Sequence, residues 1–519
     1  MGWIDSIIRN RCVIFFLSLL SLDLSSFLFM PPLRPLTCSV TALSLSRSAT
    51  RPLRIAVVGG GASGIFSAIA AAEAALTNSS PDKTGTSTKR RPPVNVVVLE
   101  AGSSTLTKVK ISGGGRCNVL HDTSKAVPDL LSQGYPRGKM ELTGLFQKRF
   151  GPAQAREWFE RRGVTLKTEP DGRMFPHTDS SQTIIDTLLH AAQASHVSIQ
   201  TRCKVESVTC EEENAKDDKS NQQRIFKVSL QQKLSSEQDA RKEQREEFFH
   251  AVILATGSSP VGYKLAKSLG HTIVSPVASL FTLSAKHDVK EGGLLYDLSG
   301  LSVPHARVSY RIPSSSSSSS SSSKEKSRRT ANALLAQEGP LLITHHGLSG
   351  PAALRLSAFG AREFAAQGYR GTLMVHWAPS LGTASEIADE LWKQTSLQSK
   401  KAISTYCPLR LPDGSPAIPK RLWAAMVLKA GFSKDTIWAE APKKLIRALA
   451  TIISDCPIEM TSKGTFKEEF VTAGGINLKE IDMKTMQSKV CPGLFFCGEL
   501  INVDGVTGGF NFMNCWYVL

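Results

Sequence analysis

The run Gly59-Gly60-Gly61-Ala62-Ser63-Gly64 constrains this chain more than any other part of it. It follows a short apolar stretch, Ile55, Ala56, Val57 and Val58, and opens an alanine-rich segment that continues to Leu76, so the GxGxxG spacing falls between a strand and a helix. Each glycine then has its own reason. Gly59 permits the tight turn, Gly61 lets the backbone approach a pyrophosphate, and Gly64 lets the helix pack closely on the strand, while the N–H groups around Ala62 and Ser63 face the anion. A second apolar run, 94–99, ends in Glu100, whose carboxylate suits the ribose hydroxyls of an adenosine half. Glu100 comes later than the usual spacing, because the polar stretch 77–93 reads as a loop inserted between helix and strand. Strand, glycines, helix and acid in this order predict a Rossmann-like α/β domain that binds a dinucleotide.

FAD and NAD share that fingerprint, so the remainder of the chain has to choose between them. Three features favour FAD. Residues 111–118 carry Gly113, Gly114 and Gly115 in succession, which would let main chain lie against a flat ring or a second phosphate. Residues 251–257 (AVILATG) read as a buried strand ending in Thr256-Gly257, and 492–499 as another short apolar strand ending in Gly498-Glu499 at the far end of the chain.

The segments VVGGGASG (57–64), KISGGGRCN (110–118), GRMFP (172–176), AVILATG (251–257), THHGLSGP (344–351), TAGGIN (472–477) and GLFFCGELINVDGVTGGFN (493–511) together resemble the BaiN/YhiN-like, or aminoacetone oxidase-like, flavoproteins. The resemblance runs from 54 to 514. It implies a fold of the two-dinucleotide-binding-domain flavoprotein type, with the FAD-binding domain split between 54–258 and 461–519. It also implies an inserted β-rich, barrel-like domain at 259–383 and 445–460, with a small helical domain at 384–444 nested inside. Carried over by position, the FAD contacts are Gly59, Gly61, Ala62, Ser63 and Gly64 at the pyrophosphate, and Glu100 at the ribose. Arg116, Cys117 and Asn118 are expected near the flavin or its phosphates, and Thr256 and Gly257 also fall in the cofactor site. Gly498, Glu499 and Asp504 are expected at the ribityl chain and phosphates, and Thr507, Gly508, Gly509, Phe510 and Asn511 at the isoalloxazine ring. A turn or helix-capping role for Asp504 is the alternative.

Two departures from the family pattern stand out. Ten serines at 314–323 lead into Lys324-Glu325-Lys326, so 314–329 reads as a low-complexity loop within the inserted domain. The family continues through a full helix after its last motif, whereas this sequence ends at Leu519, and the helix that would pack beside the first βαβ unit is expected to be missing.

Of the 519 residues, 41% are hydrophobic and 21% charged, the ordinary range for globular chains and neither disordered nor polytopic. Residues 1–53 look like a removable leader. An apolar run at 12–30 is broken by Asp23, and the stretch that follows is rich in Ser and Arg and free of acid. Such a segment suits an organellar transit peptide, a plastid being favoured over a mitochondrion, with a secretory signal or membrane anchor as the alternative. No later segment is long and apolar enough to span a bilayer. The net charge is +17, of which residues 1–54 carry +4, but no basic block is interleaved with aromatics and nucleic acid is not the expected partner. Ten cysteines without a CxxC pair read as free thiols rather than as a zinc site or a disulfide scaffold. No metal is expected.

The chemistry expected is that of an FAD-dependent oxidoreductase acting on a small molecule. NAD(P)H is a candidate donor, although no second GxGxxG follows residue 118. Cys117 lacks a nearby second cysteine and reads as a small packing residue rather than a redox thiol. His345 and His346 precede a glycine-rich turn and are the candidates for a proton donor, against a structural role for either. The alternative functions are a flavoprotein that binds RNA or a protein partner, and an inactive, truncated flavoprotein.

Overall fold

The computed structural model describes residues 52–77, 93–213, 223–233, 242–311, 335–464 and 471–517. The expected leader up to residue 51, most of the 77–93 loop and the serine-rich 314–329 segment lie outside these residues. Leu53–Val58 pairs in parallel with Val94–Leu99 on one side and with Ala251–Leu254 on the other. Ser198–Gln200 extends the first side and Leu494–Phe496 the second, again in parallel. Ala56, Val57, Val98, Val252 and Leu254 are fully buried. Continuous apolar runs of this kind are what a parallel sheet covered on both faces requires. The crossover helix Ala62–Thr77 turns Ile65, Ala68 and Ile69 into the core, its small residues allowing close approach to the strands.

The strand order decides where a ligand can sit. From Leu53–Val58 the chain steps outward to Val94–Leu99 and Ser198–Gln200, then crosses to the opposite side for Ala251–Leu254 and Leu494–Phe496. The order therefore reverses between the first strand and Ala251–Leu254. In open α/β sheets the crevice beyond the carboxyl ends of strands at such a reversal is the ligand-binding place.

An antiparallel meander, Cys203–Glu213, Gln223–Lys233 and Lys242–Phe249, precedes Ala251–Leu254. The sequence reading had no separate element there. Beyond it, the chain leaves the parallel-sheet domain along Ile273–Ser279 and returns along Val471–Ile476, and these two segments pair antiparallel as a two-stranded neck.

The inserted domain is a seven-stranded sheet whose two edges are Cys456–Met460 and Ser462–Lys463. Only Thr461 separates these edge strands, and one residue spans at most about 3.6 Å, so the sheet must curl until its edges meet. The barrel-like expectation therefore has a topological cause. Three helices, Ala384–Leu397, Lys420–Lys429 and Lys443–Ser454, cover it and share one hydrophobic core with its strands. Thr383 and Glu386 close the first of these helices with a reciprocal capping box.

Three boundaries differ from those read in the sequence. Lys443–Ser454 packs on Ala384–Leu397, so it belongs with the helices rather than with the β-rich part. Ser462–Lys463 pairs with Leu283–Ser284, which carries the barrel past 461. Leu265 and Ala266 of the helix Pro260–Ser268 join the core of the parallel-sheet domain, which moves that boundary beyond 268. Each correction follows from a long-range contact that local pattern does not encode.

A buried ion pair ties the two domains together. Asp504 is 1% exposed and takes both oxygens to Arg137, which also donates to the Ala358 carbonyl of the inserted domain at 2.8 Å. Ser279 on the neck donates to the same carboxylate at 3.3 Å. Arg137→Met leaves a buried carboxylate with that hydroxyl and the more distant charge of Arg362, and removing one partner of a buried pair typically costs about 3–5 kcal/mol. Urea unfolding should register that loss, and R137M/D504L, which removes both charges, should recover part of it.

The surroundings of His271 and His376 favour the neutral ring. His271 donates from Nδ1 to the Ala266 carbonyl and accepts the Ser488 hydroxyl at Nε2, 2.8 Å away. His376 donates from Nε2 to the Gly382 carbonyl and accepts from the Ala378 N–H. Burial lowers both below the ordinary value of 6.5. The unfolded chain therefore takes up protons that the folded chain refuses, and stability is lost as pH falls through about 6.5 and below. Melting temperature should drop from pH 7.5 to 5.5, and His376→Asn should flatten the slope; a slope unchanged by this substitution would remove His376 from the account.

Candidate functional site

Each carboxyl end at the reversal carries one of the motifs: Val58 leads to Gly59, Leu99 to Glu100, Leu254 to Thr256-Gly257 and Phe496 to Gly498-Glu499. The three fingerprint glycines separate by what surrounds them. A Cβ on Gly59 (φ +110°) would lie 2.6 Å from the Ala255 carbonyl oxygen, and one on Gly64 would lie 1.9 Å from that of Gly59. A Cβ on Gly61 would meet nothing within 4 Å. Two glycines are thus demanded by the protein's own packing and the third faces open space. Ser63 packs its hydroxyl against Gly498, which joins the helix start to the C-terminal motif.

Glu100 accepts the Gly60 N–H on one oxygen and the Gly102 N–H on the other, both at 2.6 Å. A carboxylate has about four acceptor positions, so capacity remains for hydroxyl donors. The loop after Glu100 folds back through a bond from the Leu106 N–H to the Gly60 carbonyl, 2.9 Å, and this carries Lys108 to within 3.5 Å of Glu499. Glu499 is largely buried. Burial raises its carboxyl above the ordinary value, and Lys108 draws it back down. The Tyr263 hydroxyl, buried and without a hydrogen-bond partner, is pushed up to about 12 by burial and then by the Glu499 charge. Lys108 and Tyr263 were not found in the sequence. Lys108 stands five residues before Gly113 in a quoted motif, and Tyr263 gave no signal.

A second patch joins residues from opposite ends of the chain. Gly509 (φ +96°) approaches the Leu120 carbonyl so closely that a Cβ would lie 2.3 Å from its oxygen, with the Asn118 amide oxygen at 3.0 Å. Trp516 donates its indole N–H to the Val119 carbonyl at 2.9 Å. His121, another residue missed in the sequence, hydrogen-bonds through Nδ1 with the Gly508 carbonyl at 2.9 Å and stacks on Phe510 with ring centres 4.4 Å apart. Burial holds its pKa below the ordinary histidine value. Gly114 and Gly115 have nothing near a notional Cβ, and Thr507 is exposed. These residues form the open edge of the patch.

Several expected contacts are committed elsewhere. Arg116 bonds to Glu169 and Asp179 and lies over the Phe175 ring at 3.9 Å, so its guanidinium organises the 169–179 loop. Cys117 is fully buried, with its thiol pushed up to about 12 by burial, as suits a packing residue. Asn511 uses its amide to hold Gly505 and Val506, and Phe510 fills the space against Gly134, Tyr135 and His121 rather than presenting a free ring. Asp504 is engaged by Arg137. The Thr256 hydroxyl, by contrast, is buried beside Gly262 without a hydrogen-bond partner. His345 and His346 lie exposed on the turn between Ala336–Thr344 and Gly347–Ser349 of the barrel.

The residues present fit a dinucleotide. Open space at Gly61 beside two closed glycines is a cradle that a Cβ would narrow, and the orphaned Tyr263 hydroxyl is a polar atom without a protein partner. Gly59 to Gly64 would hold the pyrophosphate, Glu100 the adenosine ribose, and Glu499 with Lys108 the stretch beyond it. Sheet topology, glycine cradle and acidic strand end define a Rossmann-type dinucleotide-binding domain, and the family it falls in makes the protein an FAD-dependent oxidoreductase. The chain belongs to the HI0933-like family, whose Rossmann-domain description matches residues 53–518.

Among characterised relatives, the ribosomal RNA dihydrouridine synthase of Escherichia coli is 24% identical over 470 residues, covering 89% of this chain and 94% of that protein. The 3-dehydro-bile acid delta(4,6)-reductase of Clostridium scindens is 25% identical, covering 89% of this chain and 96% of its own. A solved 3-ketosteroid-delta4-(5alpha)-dehydrogenase from Rhodococcus jostii aligns with 12% identity and a TM-score of 0.39 over 93% of this chain and 97% of that one.

Gly61→Ala should leave melting temperature of the apoprotein unchanged while weakening FAD binding by about tenfold or more, equivalent to roughly 1.4 kcal/mol. Gly64→Ala, whose Cβ would collide with the Gly59 carbonyl, should lose folded protein. Flavin fluorescence titration separates the two effects.

Proposed function

We propose that the chain reduces a carbon–carbon double bond conjugated to a carbonyl, drawing hydride from NAD(P)H. The observation that carries the cofactor half of this reading is the Gly61 cradle between two closed glycines, bordered by Glu100, Lys108 and Glu499. The substrate half draws on two relatives with unlike substrates. Dihydrouridine is uridine saturated at a bond conjugated to a ring carbonyl, and a delta(4,6) reduction acts on double bonds conjugated to a 3-keto group. The common element is the bond, not the molecule around it. Bound FAD would carry the hydride. The chain's own part is to hold the dinucleotide at the fingerprint, to fix the Gly508 carbonyl through His121, and to present the edge formed by Gly114, Gly115 and Thr507.

A small conjugated ketone is the leading substrate. A uracil ring within RNA is the second reading, favoured by the net charge of +17 and by the ribosomal RNA named for one relative. Holo-protein should be bleached anaerobically by NADH or NADPH and then reoxidised by conjugated ketones such as a 4-en-3-one steroid. Reoxidation only by uridine-containing RNA, with binding that falls steeply in salt, would transfer the assignment to RNA. A flavin reduced by neither nicotinamide, or reoxidised by neither substrate class, would overturn the proposal.

A further inference from the structure

Two cysteines far apart in sequence meet on the face of the meander. Cys210 lies on Cys203–Glu213 opposite Phe226, and Cys491 lies in the loop before Leu494–Phe496. Both line one cavity of about 520 Å³ together with Arg224, Leu269 and Val490. The surroundings hold them there. The Ser488 hydroxyl accepts the N–H groups of Val490 and Cys491 at 3.0 and 2.7 Å, which fixes the loop. Gly493 (φ +89°) then lets the Phe226 ring come within 3.0 Å of where a Cβ would stand, seating the loop on the sheet. Neither cysteine belongs to the flavin site, because Cys491 precedes the strand whose opposite end leads to Gly498 and Glu499.

We propose that Cys210 and Cys491 form a dithiol site that low-molecular-weight disulfides of the glutathione class convert to an intramolecular disulfide. Cys210 is the more exposed of the two and reacts first. Its thiolate attacks one sulfur of glutathione disulfide, the sulfur–sulfur bond breaks, and one glutathione leaves, with a mixed disulfide remaining on Cys210. Cys491 then gives its proton to solvent and attacks the Cys210 sulfur, expelling the second glutathione. Two protein thiols are oxidised by two electrons and one glutathione disulfide is reduced to two thiols. Arg224 lines the same cavity, and its guanidinium is complementary in charge to the carboxylates that glutathione carries. Burial and the neighbouring thiol both disfavour ionisation of Cys491, which assigns it the resolving role.

The bond would fasten the meander to the last parallel strand and close a very long loop, so it should stabilise the fold. The test uses the full-length holo-protein incubated with glutathione disulfide, followed by intact mass and a non-reducing peptide map. The expected result is loss of two hydrogens, a linked pair of peptides carrying Cys210 and Cys491, a melting temperature raised by several degrees, and reversal by dithiothreitol. Cys210→Ser and Cys491→Ser should each abolish the link and the stabilisation while keeping flavin absorbance. Both thiols remaining open to alkylation, a link through another cysteine, or a lasting glutathione adduct on Cys210 alone would overturn the proposal. The peptide map of the wild-type protein decides the matter even if one variant fails to fold.

Discussion

The parallel pairing of Leu494–Phe496 on Ala251–Leu254 is the constraint on which the rest of the molecule depends. It brings the end of the chain back to its beginning, so the fingerprint turn, Gly257 and the Gly498-Glu499 step lie on neighbouring strand ends. Helix Phe510–Trp516 then seats beside Ala62–Thr77 through Trp516 against Phe66 and Phe159. The aromatic contacts give the short last helix a buried face that length alone would not supply. Everything between the two strands can be elaborated, provided that it enters and leaves by one neck. The antiparallel pair Ile273–Ser279 and Val471–Ile476 is that neck, and Asp504 with Arg137 anchors its base.

The cofactor patch divides its labour by geometry rather than by residue type. Adjacent glycines do opposite things, since Gly59 and Gly64 are closed by carbonyl oxygens and Gly61 is open. Charge is distributed with similar economy. Glu100 steadies the turn through two backbone N–H groups, and Glu499 stays close to Lys108 despite its burial. His121 lies outside every quoted motif, yet it holds the Gly508 carbonyl of the C-terminal one.

What could be read in the sequence was whatever has a local cause. The strand, glycine turn and helix at 55–76 follow from spacing and φ requirements, and the resemblance supplied the return of the C-terminal segment to the flavin-type domain. The β-rich inserted domain came with the same resemblance, but its closure through Thr461 depends on register, which no window of residues contains. Arg116 illustrates the other limit. It stands inside a motif, and its partners Glu169 and Asp179 reach it only through the fold. The Cys210–Cys491 meeting and the Arg137–Asp504 pair escaped for the same reason, because contacts between distant segments leave no periodicity behind.

The neck and the late strand also order the events of synthesis. Until residue 494 has left the ribosome, Ala251–Leu254 has a partner on one side only, and its outer edge is an unpaired row of N–H and carbonyl groups. The barrel and its helices have their own core and lie wholly between the two halves of the flavin-type domain. They can therefore complete themselves while that edge is still exposed. A nascent chain of this design carries a finished domain ahead of an unfinished one, and its period of greatest aggregation hazard ends only when its last strand docks.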